Sequence, residues 1–335
     1  MLVKKASRSG KSLAFVFGPL SLALSLELTG CSSMSSESTP SDPMLLSSDF
    51  AVPQNEIVLT VPVMAAVERD QMLIVQLSEL IDHETDSAAD RAELFYELGV
   101  IYDRLGLEGS ARTMFMNALV EKPDYAPAYN FLGIYLASAE RFGDAYEAFD
   151  AALELDPHSV YTNFARAIAL YYGKRPKIAL SDIQTFYQAD RNDPYRMLWY
   201  YLIECETSGY DTALLHLKQR YASAQKKEDY FGYHVLDYLT GLISKEQLLA
   251  LVKDPQLPMY LKIERACEVY FYLGKEAQRQ GQIKLAFDYF HLAAHTDKYD
   301  FLEHRYALFE IRRLARQYGL TSYRDRNPLQ DPDLY

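Results

Sequence analysis

A 34-residue spacing recurs in the middle of this 335-residue chain. Small, aromatic and proline residues repeat at that distance within residues 92–159. The repeated pairs are Gly99 and Gly133, Ala111 and Ala145, Phe115 and Phe149, Ala118 and Ala152, and Pro123 and Pro157. A fixed period of this length indicates one supersecondary unit that cannot bury its apolar face alone and must stack on its neighbours.

The residue types within each period predict a pair of helices. A glycine at position 99 or 133 lets the second helix cross closely, and Phe115 or Phe149 fills the gap behind that crossing. Pro123 ends one unit and starts the next, because proline cannot donate a hydrogen bond inside a helix. These features are typical of the tetratricopeptide repeat, with complete copies at 92–125 and 126–159.

Two looser copies follow the complete ones. Residues 160–193 keep the alanine and leucine positions, and residues 267–300 keep Gly274 and its aromatic partner Phe290. Between them, residues 194–227 read as a degenerate helical pair. Residues 229–253 read as two short helices, the second with Ser244 as its N-cap.

The sequence therefore predicts an all-α protein, a tetratricopeptide-repeat helical solenoid with flanking helices, preceded by a signal peptide and a flexible tether. The Ser- and Pro-rich composition after Cys31 indicates the tether, and the tail from about residue 322 lacks periodicity and is expected to be disordered. The predicted segments are a signal peptide (1–30), the tether (31–60), an N-terminal helical segment (61–91), three repeats (92–193), degenerate helical pairs (194–266), a C-terminal repeat-like unit with a helix (267–315), and a disordered tail (316–335).

The first thirty residues have the features of an export signal. Lysines and an arginine precede a mostly apolar run at 13–26, which is too short to span a bilayer comfortably. The run is followed by a motif typical of a bacterial lipobox: Leu28, Thr29, Gly30 and Cys31. This motif predicts cleavage between Gly30 and Cys31 and lipidation of the Cys31 thiol. Several acyl chains on that residue would give stable attachment to a membrane. Ser32 favours the outer membrane, with the protein on its periplasmic side; an ordinary secretory signal is the alternative.

Only two other cysteines remain, Cys205 and Cys267. They could pair in an oxidising compartment, but two cysteines do not make a disulfide framework. We favour two buried thiols that pack as small apolar side chains.

The sequence contains no recognisable catalytic, cofactor or metal motif. Gly10-Lys11-Ser12 lacks the glycine that a phosphate-binding loop needs, and it lies within the signal. His291 and His295 have a spacing that suits a metal, but no third ligand accompanies them. A net charge of −12 argues against nucleic acid as a partner. We expect no enzyme activity, no cofactor and no metal.

The inner helices of a tetratricopeptide solenoid line a concave groove through positions 2, 5, 9, 12 and 13 of each repeat. In the third copy these positions are strongly aromatic. Our candidate partner-binding residues are Tyr96, Asn130, Tyr161, Phe164, Tyr171 and Tyr172. Exposed aromatic clusters are typical of binding hot spots. The alternative is that neighbouring helices or a second subunit cover these rings.

Three stretches, 129–157, 168–194 and 301–311, together with the lipobox, resemble the NlpI family of tetratricopeptide outer-membrane lipoproteins. The resemblance weakens across 205–265. It implies a homodimeric adaptor, without catalytic residues, that holds a periplasmic tail-specific protease beside a peptidoglycan endopeptidase and other murein hydrolases. Such tethering raises the local concentration of enzyme and substrate.

Two other functions compete with the adaptor. One is an enzyme such as a peptidase, which the absence of a nucleophile–base spacing disfavours. The other is a binding module for cell-wall fragments or peptides, in which Tyr161, Tyr171 and Tyr172 form a stacking platform.

Overall fold

The computed structural model describes residues 50–61, 63–83, 87–226 and 230–320. The lipobox residues Leu28, Thr29, Gly30 and Cys31 lie outside these ranges, as does the tail from residue 321. Within the described residues every long element is a helix and no strand occurs. A short 3-10 helix spans Gln54–Glu56. The α-helices are α1 (Met64–His83), α2 (Ala88–Arg104), α3 (Glu108–Glu121), α4 (Ala126–Ser138), α5 (Phe142–Leu155), α6 (Val160–Tyr172), α7 (Pro176–Ala189), α8 (Pro194–Ser208), α9 (Tyr210–Ser223), α10 (Gly232–Thr240), α11 (Lys245–Lys253), α12 (Met259–Arg279), α13 (Ile283–Ala294) and α14 (Leu302–Tyr318).

Consecutive helices pair into hairpins with tetratricopeptide packing: α2 with α3, α4 with α5, α6 with α7, and α12 with α13. At the first crossing, a Cβ atom on Gly99 would lie 2.5 Å from the Phe115 ring. The same contact recurs between Gly133 and Phe149 and between Gly274 and Phe290. The solenoid fold predicted from the period is confirmed.

Local capping fixes where the less regular helices begin. The Asp193 carboxylate accepts the backbone N–H groups of Tyr195 and Arg196 at the start of α8. Ser244 caps α11 in a capping box with Gln247, which confirms the N-cap predicted from the sequence.

The solenoid curves until α14, the helix after its last hairpin, meets the first hairpin. Arg305 in α14 donates to Asp103 in α2 at 2.6 Å, and Asp103 also accepts the hydroxyl of Tyr135. α14 packs along α12 and α13 and reaches α4, so it lies across the inner side of the curve. The A helices, which are the first helices of the hairpins, therefore face α14 instead of open solvent.

The segment before α1 is fixed to the other end of the chain. Ala51 donates its N–H to Asp288 at 2.6 Å, and Val58 donates to the Tyr270 hydroxyl at 2.7 Å. Lys245 pairs with Glu56 at 2.6 Å. Residues 51–58, at the end of the segment predicted as a tether, are thus held in place by the Asp288 carboxylate and the Tyr270 hydroxyl.

The structure also refines the predicted end of the last helix and the predicted burial of the two cysteines. α14 continues to Tyr318, past the predicted boundary at residue 315, and it ends at Gly319, which has a positive φ. Both cysteine thiols are free; Cys267 is buried, whereas Cys205 is partly exposed. No helix of the described ranges is long and apolar enough to cross a bilayer.

Candidate functional site

The predicted aromatic groove is mostly filled by the protein itself. Phe164 is 6% exposed and Tyr172 is 5% exposed, while Tyr161 remains 48% exposed. Phe164 stacks on Phe186 with ring centroids 3.9 Å apart. The expectation that Phe164 presents a free ring to a partner is therefore wrong, because Phe186 of the same hairpin and Trp199 of α8 cover it.

α14 covers Tyr172 in the same way. The Tyr172 ring stacks on Tyr306 at 4.9 Å and contacts Phe309 at 4.5 Å. Burial raises the pKa of Tyr172 well above its usual range, so its hydroxyl stays protonated. The expectation that Tyr172 is exposed for a partner is also wrong. These rings form the core between α6 and α14.

The two candidates in the first repeats are half-buried. Tyr96 packs edge-on against Tyr125 and Phe131 at the junction of the first and second hairpins. The side-chain oxygen of Asn130 is buried and has no hydrogen-bond partner among the described residues. Both residues therefore belong to the interior of the repeat stack more than to an open groove.

One part of the concave side stays open beside α14. A cavity of about 240 Å³ lies between α6, α8, α12 and α14. Its walls include Tyr171, Tyr201, Lys275, Arg279, Arg313 and Tyr318. Of the predicted groove residues, only Tyr171 faces this cavity.

Paired charges line the floor of the cavity. Lys275 donates to Glu310 at 2.6 Å and to the Tyr171 hydroxyl at 3.0 Å. Burial alone would raise the pKa of Glu310, but the ammonium of Lys275 and the guanidinium of Arg313 lower it. Arg279 pairs with Glu276 at the rim.

The side chains of Arg313 and Glu206 differ from the other charged groups of the cavity. Neither side chain makes a hydrogen bond or a close ion pair with a residue that the structure describes, although the Arg313 guanidinium lowers the pKa of Glu310. Aromatic walls with a guanidinium and a carboxylate that form no close pair within the described residues suit a small polar ligand that carries both charges, such as a short peptide segment.

The cavity contains a thiol that is poorly suited to nucleophilic chemistry. Burial raises the pKa of Cys205 to about 11, so the thiol is protonated at neutral pH. Across the described ranges, no group of three His, Cys, Asp or Glu side chains could hold a metal ion. The arrangement can bind a ligand, but we identify no reacting group in it.

Sequence reasoning missed the cations of this cavity. The groove positions of the first three repeats predict aromatic residues, whereas those of the fourth copy, at 267–300, carry the cations. In that copy, positions 9, 12 and 13 are Lys275, Gln278 and Arg279, and all three line the cavity. Arg313 lies in α14, outside any repeat, so no repeat position identifies it.

A second open surface lies at the solenoid's first helix. The inner face of α1 packs on α2, where Asp70 accepts two hydrogen bonds from Arg104 at 2.7 and 2.5 Å. The outer face exposes Met64, Met72 and Val75 by 60%, 66% and 58%. End helices of solenoids are usually polar on the outside, so these apolar side chains indicate that another surface covers them.

No protein-family model matches the chain. Among solved structures, PilF of Pseudomonas aeruginosa shares 15% identity, with 74% of this chain and 93% of that chain covered and a TM-score of 0.41. A tetratricopeptide repeat protein from Parabacteroides merdae shares 12% identity, with 74% and 99% covered and a TM-score of 0.40. The Cut9–Hcn1 hetero-tetramer of the APC/C shares 15% identity, with 74% and 46% covered and a TM-score of 0.44. Similarity at this level carries no argument about function, and the repeat architecture rests on the hairpin geometry described above.

Proposed function

We propose that this protein is a non-catalytic adaptor lipoprotein. Lipid on Cys31 anchors it to the outer membrane, and it faces the periplasm as a homodimer. It binds a tail-specific protease and murein hydrolases, including an endopeptidase, and so regulates peptidoglycan hydrolysis and envelope integrity. The resemblance to the NlpI family supports these partners, and the lipobox supports the location.

The exposed apolar face of α1 is the observation that carries the adaptor proposal. Met64, Met72 and Val75 share one side of the helix, opposite Asp70, and the exposed Glu68 and Glu79 lie in the same row. Exposed apolar side chains gathered on one helix face are typical of a surface that another protein covers, even where charged side chains stand among them. Under this proposal a second copy of the chain covers the face, which leaves the remaining surfaces for the enzymes.

A reconstituted proteolysis assay tests the adaptor function. The endopeptidase is incubated with the tail-specific protease, with and without this protein. We expect faster degradation when the protein is present and no turnover of a murein peptide by the protein alone. Turnover of that peptide, or an unchanged degradation rate, would overturn the proposal.

The dimer is tested by light scattering on Met72→Glu. Because Met72 is 66% exposed, the charge should split the dimer without unfolding the protomer. Leu242→Glu is the matched control, since Leu242 is 67% exposed in the turn before α11. The proposed dimer through α1 would be contradicted if the wild type were monomeric, or if Met72→Glu and the wild type had equal masses.

A second function is favoured by the cavity beside Tyr171. Arg313 and Glu206, with tyrosine walls beside them, suit cell-wall fragments or peptides that carry both charges. A titration with muropeptides distinguishes this function from the adaptor. The binding module would be favoured if Arg313→Gln abolished muropeptide binding and the protein had no effect on the rate of degradation in the proteolysis assay.

A further inference from the structure

A second cavity lies where the two ends of the solenoid meet. It has a volume of about 550 Å³ and is formed by the turn from α2 to α3 and by α14. The polar residues that matter here are Asp103, Glu108, Gly109, Ser110, Arg305 and Arg312. This cavity is separate from the one beside Tyr171, and none of its residues was singled out as a binding candidate in the sequence.

The N-terminus of α3 opens into this cavity without a cap. The N-cap residue is Leu107, whose side chain cannot accept a hydrogen bond. The first N–H that bonds within the helix is that of Ala111, which donates to the Leu107 carbonyl at 2.9 Å. The N–H groups of Glu108, Gly109 and Ser110 have no acceptor among the described residues. The helix dipole places partial positive charge at the same point.

A buried guanidinium supplies the second, independent observation. The Arg305 side chain is 10% exposed. Its Nη2 donates to Asp103 at 2.6 Å, but its Nη1 is buried and has no hydrogen-bond partner within the described ranges. The nearest carboxylate oxygen recorded for Nη1 belongs to Glu108, at 4.0 Å, which is too far for a hydrogen bond. Arg312 adds a second guanidinium, of which Nη2 donates to the Ser138 carbonyl at 3.0 Å.

The charges of the cavity indicate which anion fits. Arg305 and Arg312 are balanced by Asp103 and Glu108, so a doubly charged phosphate would find excess negative charge. The Glu108 side chain is 62% exposed and can swing away. A single carboxylate that takes its place keeps the cavity neutral and can reach both Arg305 Nη1 and the free N–H groups.

We propose that this cavity binds an Asp or Glu side chain of an acidic peptide segment of a partner. The incoming carboxylate displaces that of Glu108, accepts from Arg305 Nη1 and Arg312, and caps α3. Because the cavity joins α3 to α14, the bound segment also ties the first hairpin to the last helix. The inference does not depend on the lipid anchor or on the proposed enzymes.

Fluorescence anisotropy of a labelled peptide tests the site. The probe is acetyl-Ala-Ala-Glu-Asp-Ala-Ala-amide with an uncharged label, and its counterpart carries Gln and Asn in place of Glu and Asp. We expect the wild type to bind the acidic peptide at least about tenfold more tightly, the factor for one charge-assisted hydrogen bond. Arg312→Gln and Arg305→Lys should each lose about tenfold. Glu108→Gln should bind more tightly, because it removes the competing carboxylate.

Two matched controls separate the site from general electrostatics. Arg316→Gln makes the same charge change one turn further along α14, outside the cavity, and should leave the affinity unchanged. Gly109→Pro removes one N–H without changing charge and should weaken binding, whereas Gly109→Ala keeps it and should not. A Cβ on Gly109 meets nothing within 4 Å, and Pro127 already stands at the same position in α4.

Several outcomes would overturn the proposal. One is equal affinity of the wild type for the two peptides. Another is an equal loss of affinity for the acidic peptide in Arg316→Gln and Arg312→Gln. A third is weaker binding of that peptide by Glu108→Gln. Inorganic phosphate that binds as tightly as the acidic peptide would show a general anion site instead. Circular dichroism of each variant establishes whether it folds. If Arg305→Lys unfolds, the comparison of Gly109→Pro with Gly109→Ala still tests the site.

Discussion

Lys275 and Glu310 form an ion pair inside the protein, between α12 and α14. Their side chains are 8% and 0% exposed, and Tyr171 and Gln278 complete the hydrogen bonds of the pair. A buried pair adds little net stability compared with apolar residues, but removing one partner leaves an uncompensated charge. The pair therefore fixes how α14 sits on α12 rather than strengthening that contact.

We expect Glu310→Leu to lower the free energy of unfolding by about 3 to 5 kcal/mol, because the Lys275 ammonium is then buried alone. The double variant Lys275→Met with Glu310→Leu should recover most of that loss. Urea unfolding of the wild type, the two single variants and the double variant gives the coupling energy. Additive losses in the double variant would contradict this account of the pair.

His304 makes stability depend on pH. The neutral ring donates its Nε2–H to the Ala294 carbonyl at 3.0 Å, and burial lowers the pKa of His304 from 6.5 to about 4. Because the unfolded chain takes up the proton first, stability is complete above pH 6.5 and is lost as the pH falls towards 4. The expected loss from this group is about 3 kcal/mol.

The measurement compares the wild type with His304→Gln across that pH range. Burial raises the pKa of Glu268 and of Glu303, so these carboxyls act with the opposite sign and stabilise the fold as the pH falls. The difference between the two chains, and not the wild-type curve alone, therefore isolates His304. A difference that stays constant from pH 6.5 to 4 would show that the imidazole does not titrate there.

The hairpin contact is a property of the helix pair. A Cβ on Gly133 would lie 2.6 Å from the Phe149 ring, which is fully buried. We expect Gly133→Ala to destabilise the protein by about 1 to 3 kcal/mol through overpacking, although alanine favours helix. Gly143→Ala is the control, since nothing lies within 4 Å of its Cβ, and it should be neutral or stabilising. Equal melting temperatures for the two variants would refute the close crossing.

The same contact explains how far the sequence could predict the elements. Gly99 with Phe115 and Gly133 with Phe149 interact within one repeat, so their spacing alone reveals the pairing. Tyr172 has its partners 134 and 137 positions later, at Tyr306 and Phe309, beyond any repeat. Helical periodicity shows which face is apolar but not which distant helix covers it. The aromatic groove was therefore recognised, while its coverage by α14 was not.

Within residues 51–320, contacts between its two ends close the solenoid. Asp103 in the first hairpin accepts a hydrogen bond from Arg305 in the last helix. Residues 51–58, which precede α1, hydrogen-bond to α12 and α13. In an open solenoid each repeat contacts only its neighbours, and the end repeats can unfold separately. Contacts between the two ends remove that freedom, because no hairpin can leave without breaking the closure.

We therefore expect the wild type to unfold in one cooperative step. Trp199, the only tryptophan, contacts Phe164, Phe271 and Tyr306, and so it reports on α6, α12 and α14 together. Its fluorescence and the helical circular dichroism should show the same urea midpoint. Arg305→Ala opens the closure and leaves Asp103 buried without its cation, so the two midpoints should separate as the first hairpins unfold earlier. Separate midpoints in the wild type would mean that the closure does not make unfolding cooperative. A single shared midpoint in Arg305→Ala at lower urea would mean that the contacts between neighbouring hairpins suffice for cooperativity without the closure.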